Sequence, residues 1–97
     1  MQSAVIAEAL RLSHGVTTRL PRIATEEVMR YKDWEIPFGT PVSSTAYFIL
    51  MSSTIFPDPF EFRPERWIDA SGRFDYALEK KYLVNFGRGS RKCLGMK

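Results

Sequence analysis

The segment Phe86-Gly87-Arg88-Gly89-Ser90-Arg91-Lys92-Cys93-Leu94-Gly95 sets the chain's single cysteine among three glycines and three cations. A thiolate is a soft nucleophile and metal ligand, and nearby cations and backbone N–H groups stabilise its charge. Gly87 and Gly89 let the backbone fold tightly and approach a flat cofactor with no Cβ in the way, and Gly95 permits the same approach just past the sulfur. From Phe86 to Lys97 there are four cations (Arg88, Arg91, Lys92, Lys97) and no acid, which makes room for an anionic group beside the cysteine. By residue type alone, a lone cysteine is a small buried hydrophobe and such cations are a solvated tail. The pattern around Cys93 favours a metal ligand.

Two other chemistries could use this loop, and both are weak. A dinucleotide fingerprint beginning at Gly87 needs a third glycine at position 92, which is lysine, and the Walker pattern needs Gly-Lys followed by Ser or Thr. A nucleic-acid strip needs more cations with interleaved exposed aromatics, so no nucleic-acid partner is expected.

A second constellation lies near the N-terminus. Glu8 and Arg11 stand three apart in a stretch rich in Ala, Leu, Glu and Arg, so they share one face of a helix expected from Ser3 to about His14. Ser3 would start this helix and Gly15 end it. Ala4, Val5 and Leu12 flank Glu8 on the wheel, which points to a buried ion pair rather than the surface pair that this spacing usually means. His14 reads as a helix-terminal cation or cap partner.

Beyond the helix, Arg22-Ile23-Ala24 and Trp34-Glu35-Ile36 carry strand-type residues with a turn candidate at Lys32-Asp33. A second turn is expected at Pro37 to Pro41, leading into Val42-Ser43. Ala46 to Met51 is a short helix or an irregular apolar segment, and periodicity does not choose between them. From Phe56 to Trp67, prolines 57, 59 and 64 preclude a central strand or a helix interior. Phenylalanines at 56, 60 and 62 accompany them, so the segment is expected as an ordered, packed coil, with Trp34 and Trp67 also in the core. Asp69 to Lys81 continues in polar, turn-rich fashion.

Ninety-seven residues, 44% hydrophobic and 13% aromatic, make one small domain or part of a larger one. A chain of this size buries roughly two-thirds of its unfolded surface and is marginal alone. One cysteine excludes an internal disulfide and fits a reducing compartment. No secretory signal is visible, and the longest apolar run, Ala46 to Met51, is far below the roughly 20 residues that span a bilayer.

The ten residues Phe86 to Gly95 match every fixed position of the haem-binding loop of the cytochrome P-450 family, Phe-x-x-Gly-x-Arg-x-Cys-x-Gly. Glu8-Ala9-Leu10-Arg11 matches that family's Glu-x-x-Arg helix motif, and Pro64-Glu65-Arg66-Trp67 resembles its Pro-Glu-Arg-Phe/Trp segment. With three motifs in order, the chain resembles the C-terminal part of a fungal-like member of this family. The fold implied is mainly α with a small β-sheet (α+β): one helix, short strands, a long ordered meander and the cysteine loop. The resemblance spans residues 1–97, with the oxygen-activating helix expected upstream and the final helix downstream.

The roles that follow are those the resemblance implies. Cys93 is the axial thiolate on the iron of haem b, favouring O–O cleavage. Phe86 packs by the sulfur, with Gly87 and Gly95 in the same cofactor-binding loop. Arg91 and Arg22 reach haem propionates. Glu8, Arg11 and Arg66 form a buried cluster that locks the coil, and unpaired burial of such charges would cost several kcal/mol. Val16 to Leu20 faces substrate. Asn85 stands where proline commonly precedes the phenylalanine, which loosens the loop entry. The implied activity is insertion of one oxygen atom into an apolar small molecule, with electrons from an NADPH-dependent reductase. A truncated, non-catalytic remnant with weak or no haem binding is the alternative, and a family isomerase or dehydratase stays open too. A eukaryotic parent would sit at the endoplasmic reticulum membrane through an anchor outside this chain.

Overall fold

The computed structural model describes residues 1–95; Lys97, one of the loop's four cations, lies outside them. Helix α1 spans Gln2–Ser13. Ala4, Ala7, Glu8 and Arg11 are buried along it, the i, i+3, i+4, i+7 stripe of one helical face. Ser3 does not cap this helix. It starts one residue earlier with Met1 at the N-cap position, whose carbonyl accepts from the Val5 amide at 3.1 Å. Val5 is 41% exposed rather than flanking the ion pair, because the buried stripe runs through the two alanines. His14, not Gly15, closes the helix in the left-handed conformation with φ 47°.

Two small antiparallel sheets follow. Strand β1 (Arg22–Ile23) pairs with β4 (Pro41–Val42), Arg22 opposite Val42. Strands β2 (Met29–Tyr31) and β3 (Trp34–Ile36) form a hairpin whose turn holds Lys32 at φ 52°. Proline at 41 is tolerated because β4 is an edge strand. Trp34, expected in the core, is 73% exposed at the end of this hairpin. β2 and β3 pack chiefly on each other, and a two-stranded ribbon has no second layer to cover an indole.

The apolar segment after the sheets is helical: α2 spans Ala46–Leu50, and the Thr45 hydroxyl accepts from the Tyr47 amide at 3.3 Å. The proline-rich coil then leads to a 3-10 turn, Pro64–Trp67, with proline at the first position where its missing N–H costs nothing. Helix α3 spans Tyr76–Tyr82 within the stretch read as turns. Its start signal is Asp75, whose carboxylate accepts from the Leu78 amide at 2.8 Å.

The core is small. Ala4 and Ala7 of α1 meet Phe56 and Trp67, with Ile55, Ile68, Phe74, Leu78, Tyr82 and Leu83 packed around them. Alanine at both helix positions lets the 3-10 turn come close enough to bury Trp67 completely. Phe56 stacks at 5.6 Å from Trp67, centroid to centroid. Phe60 and Phe62, expected to pack, are exposed at 74% and 53%. Beyond Phe56 the coil is held mainly through its backbone carbonyls, so Phe60 and Phe62 are free to point outward.

Candidate functional site

Glu8 is the centre of the charge cluster. Its Oε1 accepts from Arg11 Nη2 at 2.8 Å, the Arg63 amide at 3.0 Å and Arg66 Nε at 3.1 Å. Its Oε2 accepts from Arg11 Nε and Trp67 Nε1, both at 2.9 Å. Burial by itself raises the Glu8 pKa. The hydrogen bonds from Arg11, the Arg63 amide and Trp67, with the Arg11 charge, outweigh it and hold the carboxyl at about 2 against an ordinary 4.5.

Arg11 uses every N–H donor a guanidinium has. Besides Glu8 it donates to the carbonyls of Leu50 at 2.8 Å, Pro59 at 2.7 Å and Glu61 at 3.3 Å. Arg66 donates to the Pro57 carbonyl at 3.0 Å and, more loosely, to those of Asp58 and Glu61. Both guanidiniums also lie over the Phe56 ring, at 5.2 Å and 5.9 Å from its centroid. The structure thus brings Glu8, Arg11 and Arg66 together and spends their donors on the proline-rich coil. Trp67 and the Arg63 amide belong to the same cluster. An aromatic and a backbone group carry no sequence mark of such a role.

The cysteine loop starts where α3 ends. Gly87 donates to the Val84 carbonyl at 3.0 Å, and Cys93 donates to the Phe86 carbonyl at 2.8 Å. Gly87 and Gly89 take φ of 71° and 75°, a region open to glycine and strained for other residues. A Cβ on Gly95 would stand 3.7 Å from the sulfur. Arg88 donates to the Lys80 carbonyl and so ties the loop to α3. Cys93 is exposed, unlike the buried small hydrophobe that a lone cysteine usually is. The loop entry is not loose at Asn85: its Nδ2 donates to the Leu10 carbonyl at 2.6 Å.

Cys93 opens on a cavity of about 470 Å³ between the loop, the end of α1 and α2. Leu10, Val16, Leu20, Leu50 and Phe86 give it apolar walls, and Arg22 and Arg91 are among its lining residues. Gly87 lines it as well, whereas Gly95 sits beside the sulfur outside the lining. His14 packs against Tyr47 at 5.1 Å between ring centroids, and its Nδ1 is buried without a hydrogen-bond partner among the described residues. The lining of this one cavity draws on the end of α1, on α2 and on the cysteine loop, from Leu10 to Cys93.

The family model of cytochrome P-450 matches residues 1–97, and the chain belongs to that family. It is 58% identical over 94 residues to cytochrome P-450 monooxygenase claJ of Penicillium crustosum, covering 97% of this chain and 21% of that protein. It is 52% identical over 91 residues to cytochrome P-450 monooxygenase TRI4 of Trichoderma arundinaceum, covering 94% of this chain and 17% of that one. Fusicoccadiene C-8 hydroxylase of Phomopsis amygdali is 48% identical over 94 residues, with 96% and 17% covered. The chain therefore spans about a fifth of the length of the curated relatives it matches. The family is haem-dependent, and haem b is its cofactor.

Proposed function

We propose that this chain is the C-terminal, haem-ligating region of a monooxygenase that inserts one oxygen atom into an apolar small molecule. One observation carries the reading: Cys93, Arg22 and Arg91 line a single apolar-walled cavity. That donor set fits haem b, with one soft sulfur for iron, a flat apolar face at Phe86 and two guanidiniums for propionate carboxylates. When bound, haem supplies the one-electron and oxygen chemistry that protein side chains lack.

The chain's own residues then hold, orient and screen. Cys93 Sγ would supply the thiolate that holds the iron. Arg22 and Arg91 would hold its propionate carboxylates, and Gly87 would let the loop backbone come close to it. The Glu8–Arg11–Arg66 cluster holds the coil that backs the loop. Val16, Thr17 and Leu20 line the cavity and face the substrate. An NADPH-dependent reductase is the electron donor that family membership supports, and the names of the relatives favour oxygenation over isomerisation or dehydration.

The test is the ferrous carbon monoxide complex of the protein expressed from its complete reading frame. The thiolate-type Soret band is expected, and Cys93→Ser should remove it. An unchanged band in that variant refutes the assignment of Cys93.

The exposure of Cys93, Arg22 and Arg91 supports a second reading for the 97-residue chain taken by itself, that of a segment with weak haem affinity and no turnover. Retention of haem through gel filtration measures this directly, and stoichiometric retention would exclude it.

A further inference from the structure

We propose that Asn85 is a positioning residue for Cys93, fastening the entry of the cysteine loop to the last turn of α1; this rests on the reading of Cys93 as the axial ligand. The Asn85 amide donates to the Leu10 carbonyl at 2.6 Å, a contact that joins residues 75 apart in sequence. Leu10 belongs to the last turn of α1, where carbonyls lack backbone partners inside the helix and are open to side-chain donors. The Ser13 hydroxyl shares that carbonyl at 2.8 Å. Leu10 is also next to Arg11, so the anchor point is itself held by the buried Glu8–Arg11 pair.

On the loop side, the two carbonyls that close the loop flank Asn85. Val84 accepts from Gly87 at 3.0 Å and Phe86 accepts from Cys93 at 2.8 Å. From α1 to the cysteine backbone the path is therefore the Asn85 side chain, one peptide unit, and the Phe86–Cys93 hydrogen bond. Asn85 lines the same cavity as Cys93, and its Oδ1 is buried with no partner among the described residues. A buried amide kept with one end unpaired is costly, and its donor end is what the position uses. A proline or an aliphatic residue at this place supplies no such donor.

The experiment uses the complete, haem-loaded protein and three variants. Asn85→Leu and Asn85→Asp keep the side chain's size and remove the donor, while Asn85→Gln keeps an amide. The readout is the rate at which the ferrous carbon monoxide complex loses its thiolate-type Soret band. Leucine and aspartate should raise that rate about fivefold to tenfold, the scale of one lost hydrogen bond, and glutamine should stay within about twofold. Wild-type rates in both donor-less variants overturn the proposal.

A second readout needs no haem. Amide exchange at Gly87 and Cys93 should quicken in Asn85→Leu while that of α1 is unchanged; an equal change throughout the chain would mark general destabilisation and overturn the proposal. If the wild-type protein shows no thiolate-type band and Cys93→Ser leaves its spectrum as it was, the ligand reading has failed and this inference falls with it. Normal wild-type spectra with insensitive Asn85 variants sink the inference alone.

Discussion

Glu8 accepts five hydrogen bonds on two oxygens from inside the protein, and its value to the fold depends on remaining ionised. Its pKa of about 2 lies below the ordinary 4.5, so the unfolded chain binds the proton more readily than the folded one. Stability from this group is therefore fully present above about pH 4.5 and is lost as the pH falls toward 2, and it amounts to about 3 kcal/mol. Denaturant midpoints measured across that window should fall with acid, and Glu8→Gln should flatten this part of the profile. The same variant sets an amide N–H against donors from Arg11, Arg66 or Trp67 and leaves Arg11 buried without a counter-charge. Its cost near neutral pH should reach about 3–5 kcal/mol, enough to unfold a marginal domain. A wild-type midpoint in Glu8→Gln would mean that the cluster is incidental to stability.

The element most in need of explanation is the coil between α2 and the 3-10 turn, which is ordered without a ladder of its own. Arg11 and Arg66 supply the missing donors, to the carbonyls of Leu50, Pro57, Pro59 and Glu61. A planar guanidinium can serve a carboxylate and several carbonyls at once, whereas an ammonium on a flexible stem cannot hold that fork. Arg66→Lys should therefore loosen the coil by about 1–3 kcal/mol while keeping the charge, and limited proteolysis should cut within residues 57–66 sooner than in the wild type. Unchanged cutting would show that proline stiffness alone orders the coil. The spacing of Glu8 and Arg11 made their shared helix face legible, and the Pro-Glu-Arg-Trp segment drew Arg66 to them by resemblance. The pairing of β1 with β4 was not legible, because two-residue strands have no period to read and find each other across an intervening hairpin. Helix α3 was missed among polar residues although Asp75 before Tyr-Ala-Leu-Glu is a serviceable start. Trp34 and Phe60 were misplaced in the core because residue type reports the wish to be buried and says nothing of whether a surface is available.

That last point governs the molecule as a whole. Its buried cluster comprises Ala4, Ala7, Phe56 and Trp67, while Trp34, Phe38, Phe60 and Leu94 stand 66–91% exposed. Among the described residues no helix is long and apolar enough to cross a membrane. So few buried side chains cannot offset the conformational entropy of 97 residues by much, and the chain should melt broadly and at low temperature when free of haem. A ligand that binds only the folded form adds RT ln(1 + [L]/Kd), about 2.7 kcal/mol at a hundredfold excess over Kd. Haem should accordingly sharpen and raise the transition of the 97-residue chain, and more so in the complete protein, where further surface can cover the ring. If Cys93 is the iron ligand as proposed, the gain should shrink in both for Cys93→Ser, because that substitution removes the thiolate and leaves the rest of the cavity as it was. Scanning calorimetry with and without haem reads all four cases. A sharp transition in the haem-free 97-residue chain would overturn the expectation of a marginal core, and equal gains with serine at 93 would separate haem binding from thiolate ligation.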